Sequence, residues 1–213
     1  MSYYAATSQV RSTSSEARVS DVSASSTAPT LDPISLKFVI WAQETGAPSL
    51  DVACGDGIAT LALLSRGGHV VALDSDAAVL QRLVERTPTE QRRRLKLRLG
   101  QLPAVDFKAA NFAAIHAARI LHYLDPVAVE YSLRKFYRWL YPQGRLFISV
   151  LTPAGARRLA PRTASDPPLH PMDVRALRRE ISAAGFFVED ASIYLPPWKG
   201  SQECCGVIAR CTS

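Results

Sequence analysis

The stretch SLDVACGDGIATLALL, residues 49–64, constrains the fold more than any other part of this 213-residue chain. A short apolar run contains Asp51, and the small residues Ala53, Gly55 and Gly57 then alternate before a segment of helical character. Glycine adopts positive φ angles without strain and lets other groups approach the backbone closely. The pattern therefore predicts a strand, a tight bend and a helix, with a ligand seated against the bend.

The residues of the bend limit which ligand suits it. A dinucleotide-binding bend follows G-x-G-x-x-G/A and rests a pyrophosphate on the helix N-terminus. Read from Gly55, this chain has Thr60 at the third small position, and the carboxylate of Asp56 would repel a diphosphate. A positively charged ligand without phosphate suits the bend better. S-adenosylmethionine (SAM), which carries a sulfonium and an ammonium group, is such a ligand.

A second acidic residue points to a nucleoside. Asp74 ends the run VVALD, 17 residues after Gly57, where an acid can accept hydrogen bonds from both ribose hydroxyls. An acid after a strand often caps the next helix instead, but Asp76 is placed to act as that N-cap. Asp74 is therefore predicted to bind the ligand.

Helix starts are marked by two Asp–Pro pairs, at residues 32–33 and 125–126. An aspartate N-cap followed by proline at the first helical position is a typical helix start. The first of these helices has Leu36, Val39 and Ile40 at helical spacing. This spacing predicts a helix, and on it Phe38 and Trp41 are expected to pack in the core, with contact to the cofactor as the alternative.

Strand-like runs alternate with these helices along the chain. RLKLRLG, residues 94–100, alternates charged and apolar side chains, which is typical of a strand at the edge of a sheet. FAAIHAA, residues 112–118, is a further strand, and His116 within it is predicted to be buried and hydrogen-bonded. The order of elements predicts an α/β doubly wound sheet, which binds ligands at the carboxyl ends of its strands.

From about Asp32 to its end, the chain resembles a class I SAM-dependent methyltransferase of the small-molecule type. LDVACGDG resembles the first motif of that family, LDxGCGxG, with Ala53 in place of the first glycine. VVALDSD resembles the second motif, and FAAIHAARILHYLDP resembles the motif of the fourth strand. WLYPQGRLFIS resembles the LKPGGxLxxx segment, with Gln143 in place of a glycine. The resemblance implies a mostly parallel, seven-stranded, Rossmann-like sheet with an antiparallel last strand, in a three-layer α/β/α sandwich.

The same resemblance implies SAM as cofactor, S-adenosylhomocysteine as product and no metal. Asp51 would order the bend and the methionine ammonium, and Asp74 would hold the ribose. Many members carry Gly–Asp after the third strand, where the acid meets the adenine amino group. Here the residue is Gln101, which can accept a hydrogen bond through its amide oxygen. The implied cofactor-binding residues are Asp51, Ala53, Cys54, Gly55, Gly57, Asp74, Ser75, Gln101, Leu102 and Arg119.

The loop after the fourth strand supplies the main candidates for acceptor binding. Methyl transfer from a sulfonium needs a general base only when the acceptor is a protonated hydroxyl or amine. His122, expected at the lip of the pocket, is the candidate catalytic base, and the alternative is that it shapes the loop or contacts the cofactor. Arg119 could bind an anionic substrate, the cofactor carboxylate or a surface acid. The candidate substrate-binding residues are Tyr3, Tyr4, His122, Tyr123 and Trp198.

Composition and charge indicate which classes of binding partner and which cellular location to expect. The net charge of +6 permits nucleic-acid binding, but the basic residues are not interleaved with aromatics and no nucleic-acid motif is present. A small-molecule substrate is therefore expected, and nucleic acid is not. The four cysteines form no CxxC pair and are expected to be reduced, packed thiols. No apolar run approaches the ~20 residues of a membrane span, and no signal peptide is recognised. A cytoplasmic protein without membrane contact is expected.

Domain organisation follows from the N-terminal composition. Residues 1–30 contain nine Ser and four Thr, which predicts a leader that is either a flexible tail or an arm folding Tyr3 and Tyr4 over the pocket. Residues 31–213 are predicted to form one methyltransferase domain, and no oligomeric state is predicted. Two other functions remain open: a non-catalytic SAM-binding module, which Ala53 and Gln101 leave possible, and an RNA or protein methyltransferase that uses the basic surface.

Overall fold

A computed structural model describes residues 30–159, 168–197 and 200–212, which form a sheet with helices on both faces. In chain order the elements are α1 (Pro33–Glu44), β1 (Ser49–Val52), α2 (Ile58–Ser65), β2 (Val70–Asp74), α3 (Ala77–Arg86), α4 (Thr89–Arg92), β3 (Leu95–Leu99), β4 (Phe112–Ala118), a 3₁₀ turn (Leu121–Tyr123), α5 (Pro126–Trp139), β5 (Leu140–Leu151), α6 (Pro153–Arg157), α7 (Val174–Ala183), β6 (Phe186–Tyr194) and β7 (Cys204–Cys211).

The sheet has seven strands in the order β3-β2-β1-β4-β5-β7-β6 within the described residues. Strands β1 to β5 pair in parallel, whereas β7 inserts antiparallel between β5 and β6. The predicted doubly wound sheet with an antiparallel last strand is confirmed, as is the edge position of β3. Because the winding reverses between β1 and β4, the carboxyl ends of these two strands open a crevice where ligands of such sheets bind.

The predicted helix starts are confirmed. Asp32 caps α1 by accepting from the N–H of Ser35 at 2.9 Å, and Asp125 caps α5 by accepting from the N–H of Ala128 at 2.9 Å. Proline occupies the first turn of both helices, where its missing N–H costs no intrahelical hydrogen bond. Across the described ranges, no helix combines the length and the apolar character needed to cross a membrane.

The two faces of the sheet bury separate groups of side chains. Helices α5 and α7 cover one face over a core that includes Phe112 and Trp139, and α1 and α2 cover the other over Phe38 and Phe147. Because side chains alternate along a strand, Leu50 and Val52 of β1 point toward α5 and α7, and the residue between them points toward α1. The three-layer arrangement is therefore confirmed.

The buried face of α1 includes Phe38, which is 1% exposed and packs in the core as expected, and Trp41 packs against the same core. The helix also buries Ile34, Val39 and Ala42, whereas Leu36 and Ile40 are 37% and 47% exposed. Apolar residues surround this short helix on all sides, so their spacing alone does not define which side faces the sheet.

Candidate functional site

The bend between β1 and α2 is built from alternating left-handed residues. The φ angles are +53° at Ala53, +50° at Gly55 and +71° at Gly57. The N–H of Cys54 donates to the carbonyl of Leu73 at 3.0 Å and thereby ties the bend to β2. Ala53 adopts this conformation although it is not a glycine, at a cost of roughly 1–2 kcal/mol. The alternating small residues of the sequence therefore correspond to a real turn in the backbone.

Three cavities meet at this bend, and Ala53 lines all of them. The α1 cavity, about 100 Å³, lies between the bend and the start of α1. The Asp74 cavity, about 140 Å³, lies at the ends of β2 and β3, and the His122 cavity, about 300 Å³, lies beyond β4. The sites predicted around one crevice are thus adjacent, with Ala53 as their common wall.

Asp74 holds the bend and faces a cavity at the same time. One carboxylate oxygen accepts from the N–H of Gly55 at 3.0 Å, and the other accepts from the N–H of Asp76 at 3.0 Å. Asp76 caps α3 through the N–H of Ala78 at 2.8 Å, as predicted. Since a carboxylate can accept about four hydrogen bonds, Asp74 retains acceptor capacity toward the Asp74 cavity. Ser75, Gln101 and Leu102 line that cavity with it.

The α1 cavity is rich in carboxylates. Asp32, Asp51 and Asp56 all line it, together with Arg119. Asp51 is 2% exposed and accepts from the N–H of Thr60 at 3.0 Å and from its hydroxyl at 2.6 Å. Several carboxylates beside one guanidinium suit a ligand group that combines an ammonium with a carboxylate, and they disfavour a phosphate.

Arg119 lies between the α1 cavity and the His122 cavity and lines both. Its φ is +56°, and its N–H donates to the carbonyl of Ser149 at 2.8 Å. Positive φ at a residue that is not glycine is uncommon and often marks a functional position. Tyr194 lines the α1 cavity as well, and burial, reinforced by the negative charge of Asp32, raises the pKa of its phenol. The phenol therefore stays protonated at neutral pH.

His122 lines the largest of these three cavities from beneath its surface. His122 is only 1% exposed, and its Nδ1 accepts a hydrogen bond from the N–H of Leu151 at 3.4 Å. Its ring centroid lies 4.4 Å from that of Tyr123, a residue that is 46% exposed. The 3₁₀ turn folds the imidazole inward, away from the exposed lip position that the sequence suggested. The role of His122 as a base stays a prediction.

Some predicted site residues do not line these cavities. Gly57 is the N-cap of α2, and a Cβ built on it would lie 2.3 Å from Cδ1 of Leu83 in α3. Tyr3, Tyr4 and Trp198 fall outside the described residues. Conversely, several polar residues that line the α1 cavity were not predicted as site residues, among them Asp32, Ser35, Ser149 and Tyr194. Of these, Asp32 carried a local signal, as an N-cap, whereas Ser35, Ser149 and Tyr194 reach the bend only through the packing of elements that are distant from it in sequence.

All four cysteines are buried thiols, as predicted. Burial, with the nearby charges of Asp51 and Asp74, raises the pKa of Cys54, which lines the α1 cavity. Burial also raises the pKa of Cys204 to about 11 and that of Cys205 to about 12. Since the thiolate is the reactive form of cysteine, these thiols are poor nucleophiles in the folded protein.

We therefore expect the folded protein to react slowly with a thiol-specific disulfide reagent at pH 8. The same reagent should titrate four thiols per chain after denaturation, because unfolding exposes all four and removes the burial that raises the pKa values of Cys54, Cys204 and Cys205. A spectrophotometric time course with and without denaturant measures this difference. One rapid equivalent before denaturation would contradict the burial of the cysteines.

The described residues contain no group of three or more His, Cys, Asp or Glu that could hold a metal ion.

Residues 50–144 match a family model described as a methyltransferase domain. No curated protein sequence matches the chain significantly.

Solved structures similar to this fold include methyltransferases of low sequence identity. The 1,6-didemethyltoxoflavin-N1-methyltransferase of Burkholderia thailandensis, with 1,6-didemethyltoxoflavin and S-adenosylhomocysteine bound, is 22% identical, with a TM-score of 0.67 over 85% of this chain and 77% of that one. A SAM-dependent methyltransferase of Methanosarcina mazei is 15% identical, with a TM-score of 0.68 over 85% and 98% of the chains. The glycopeptide N-methyltransferase MtfA with S-adenosylhomocysteine is 19% identical, with a TM-score of 0.66 over 84% and 88%.

Proposed function

We propose that this class I SAM-dependent methyltransferase transfers a methyl group from SAM to a small molecule. Its family assignment rests on the methyltransferase domain matched at residues 50–144 and on its seven-stranded sheet. The observation that carries the proposal is the meeting of three cavities at Ala53. They suit the nucleoside of SAM, its amino-acid end and an acceptor, with the reacting atoms close to the bend.

The Asp74 cavity fits the nucleoside. The carboxylate of Asp74 keeps acceptor capacity beyond its two backbone hydrogen bonds, and two vicinal ribose hydroxyls can use it. Gln101 and Leu102 line the far part of the cavity, where an amide oxygen and an apolar wall suit an adenine. Ser75 lies beside Asp74 in the same lining.

The α1 cavity fits the amino-acid end of SAM. Asp51 lies below the bend, where its carboxylate suits the ammonium group, and Arg119 suits the carboxylate group. Positive φ at Ala53 and Gly55 brings the backbone close to this cavity, and Cys54 lines it between them. Burial keeps the Cys54 thiol protonated and therefore uncharged next to the ligand.

The His122 cavity fits the acceptor. SAM supplies a methyl group on a positively charged sulfur, which needs little activation beyond alignment with the attacking atom. Alignment of bound reactants can lower a barrier by roughly 7–11 kcal/mol. His122 and Tyr123 line this cavity. To take the proton of a hydroxyl or amine acceptor, His122 would first have to release the hydrogen bond that its Nδ1 accepts from the N–H of Leu151. Tyr3 and Tyr4 stay candidates for covering it, and Trp198 stays a candidate for part of its wall.

The size of this cavity favours a small acceptor over a polymer. A recess of about 300 Å³ is in the range of small-molecule sites. Two similar structures are named for methylation of 1,6-didemethyltoxoflavin and of a glycopeptide, which supports a small or medium-sized acceptor. We also propose that residues 1–30 form a leader, that residues 31–213 form the catalytic domain and that the protein is cytoplasmic.

Release of S-adenosylhomocysteine from SAM tests the proposal. The full chain is incubated with SAM and with separate pools of small-molecule hydroxyls, amines and carbon acids, of RNA and of protein. We expect product above the acceptor-free blank with a small-molecule pool. Product only with RNA, lost as salt rises because phosphate contacts weaken, or only with protein, would replace the small-molecule proposal. SAM binding without product in any pool would favour a non-catalytic module.

A further inference from the structure

Three buried side chains form a hydrogen-bonded chain behind the α1 cavity. The Oγ of Ser35 in α1 lies 2.6 Å from Nε2 of His116 in β4, and Nδ1 of that imidazole lies 3.0 Å from Oδ1 of Asp51 in β1. The three residues are 1%, 4% and 2% exposed, and all of them line the α1 cavity. The chain therefore connects the helix at the cavity wall to the carboxylate beneath the bend.

The direction of these hydrogen bonds follows from the carboxylate. An ionised Asp51 only accepts, so Nδ1 of His116 must carry the proton that it donates. With Nδ1 protonated, the neutral imidazole accepts at Nε2, and the hydroxyl of Ser35 is the donor. One tautomer thus satisfies both contacts.

The sheet holds the imidazole in place. Asp51 and His116 are register partners on the adjacent parallel strands β1 and β4, so their side chains leave the same face of the sheet side by side. The imidazole stacks on the ring of Phe147 with centroids 4.8 Å apart, and the ring of Phe38 lies 6.0 Å away. His116 is therefore a rigid support for Oδ1 of Asp51.

This support determines where Asp51 can accept another hydrogen bond. Thr60 occupies Oδ2 with two donors, and His116 occupies Oδ1 with one. Since a carboxylate has about four acceptor sites, the remaining site is on Oδ1, the atom that His116 orients. Asp51 lines the α1 cavity, so a ligand ammonium there would use this site.

Serine, histidine and aspartate in this order also form the nucleophilic triad of serine hydrolases. Here the backbone N–H of Ser35 already donates to Asp32 at 2.9 Å, so it cannot stabilise an oxyanion. Ser35 is also only 1% exposed, and it lies in the first turn of α1. The geometry fits a positioning role and not a nucleophile.

We infer that His116, braced by Ser35, is a positioning residue that orients Asp51 and thereby sets the affinity for the amino-acid end of the cofactor. The inference rests on the proposed function and adds to it a residue of β4 and a residue of α1. It makes a selective claim: loss of the imidazole weakens ligands that carry the amino-acid end and spares those that lack it.

Two amide variants distinguish the hydrogen bond that Nδ1 of His116 makes to Asp51 from the one that Nε2 makes with Ser35. The amide of His116→Asn lies near Nδ1 and can still donate to Asp51, whereas that of His116→Gln lies near Nε2 and can reach only Ser35. The full chain is titrated calorimetrically with SAM and with 5′-methylthioadenosine, which lacks the amino-acid end. We expect His116→Gln to bind SAM about tenfold or more weakly, and His116→Asn to stay within roughly threefold of the parent. Both should bind 5′-methylthioadenosine as the parent does.

Thermal melting of the same samples distinguishes positioning from a purely structural role. A structural role would lower the melting temperature while leaving the relative affinity for the two ligands unchanged, and that outcome would overturn the inference. If His116→Gln fails to fold, Ser35→Ala takes its place, with SAM binding expected to weaken roughly threefold and 5′-methylthioadenosine binding expected to stay constant. Unchanged SAM binding in Ser35→Ala would then overturn it. A parent chain that binds neither ligand would instead remove the proposed function.

Discussion

Gly57→Ala is expected to lower the free energy of unfolding by about 2–4 kcal/mol. The φ of Gly57 is +71°, and a Cβ there would lie 2.3 Å from Cδ1 of Leu83, a residue that is 1% exposed. The variant therefore combines backbone strain with displacement of a buried side chain that joins α3 to the sheet. For a chain of this size, each kcal/mol corresponds to roughly 2–4 °C in melting temperature, so differential scanning calorimetry resolves the effect.

Gly46→Ala is the matched control for this prediction. Its φ is +63°, close to that of Gly57, but nothing lies within 4 Å of the added Cβ. We expect it to lose only the backbone contribution, about 1–2 kcal/mol. Equal losses in the two variants would contradict the close approach of Leu83 to the bend.

Asp74→Ala is expected to weaken SAM binding by at least about 100-fold. Two hydrogen bonds from ribose hydroxyls to a carboxylate are worth about 1.5–3 kcal/mol each, and the substitution removes both. It also removes the acceptors for the backbone N–H groups of Gly55 and Asp76, which loosens the bend against β2. Calorimetric titration of the full chain with SAM measures the change.

Asp76→Ala is the neighbouring control. It removes the N-cap of α3, which costs about 1 kcal/mol of stability, but Asp76 does not line the Asp74 cavity. We expect a lower melting temperature and unchanged SAM affinity. Asp74→Ala with parental SAM affinity would remove the assignment of Asp74 to the ribose.

Much of the fold could be predicted because its signals are local. Asp–Pro pairs mark the starts of α1 and α5, and alternating charges mark β3 as an edge strand. The bend was recognisable for the same reason, since its small residues at 53, 55 and 57 are those that adopt positive φ. Asp76 acts as a cap, as its position indicated. Each of these features depends on a few consecutive residues.

The remainder of the site depends on contacts between distant elements. Ser35 and His116 are 81 residues apart, and Tyr194 reaches the α1 cavity from β6. Burial of His116 could be predicted from its apolar neighbours, but its partners follow only from the register of β1 and β4. Core packing of Phe38 could be expected from the sequence, but apolar residues surround α1, and only contact with the sheet determines that Ile40 is exposed.

Ligand choice at the bend is the central claim, and one competition titration tests it most directly. The full chain is titrated with SAM in the absence and in the presence of excess NAD, a dinucleotide whose diphosphate is the alternative occupant of such a bend. We predict binding of one SAM per chain with an affinity that NAD does not change, because Asp51 and Asp56 favour an ammonium over a phosphate. Displacement of SAM by NAD, or heat of binding with NAD and none with SAM, would contradict the account.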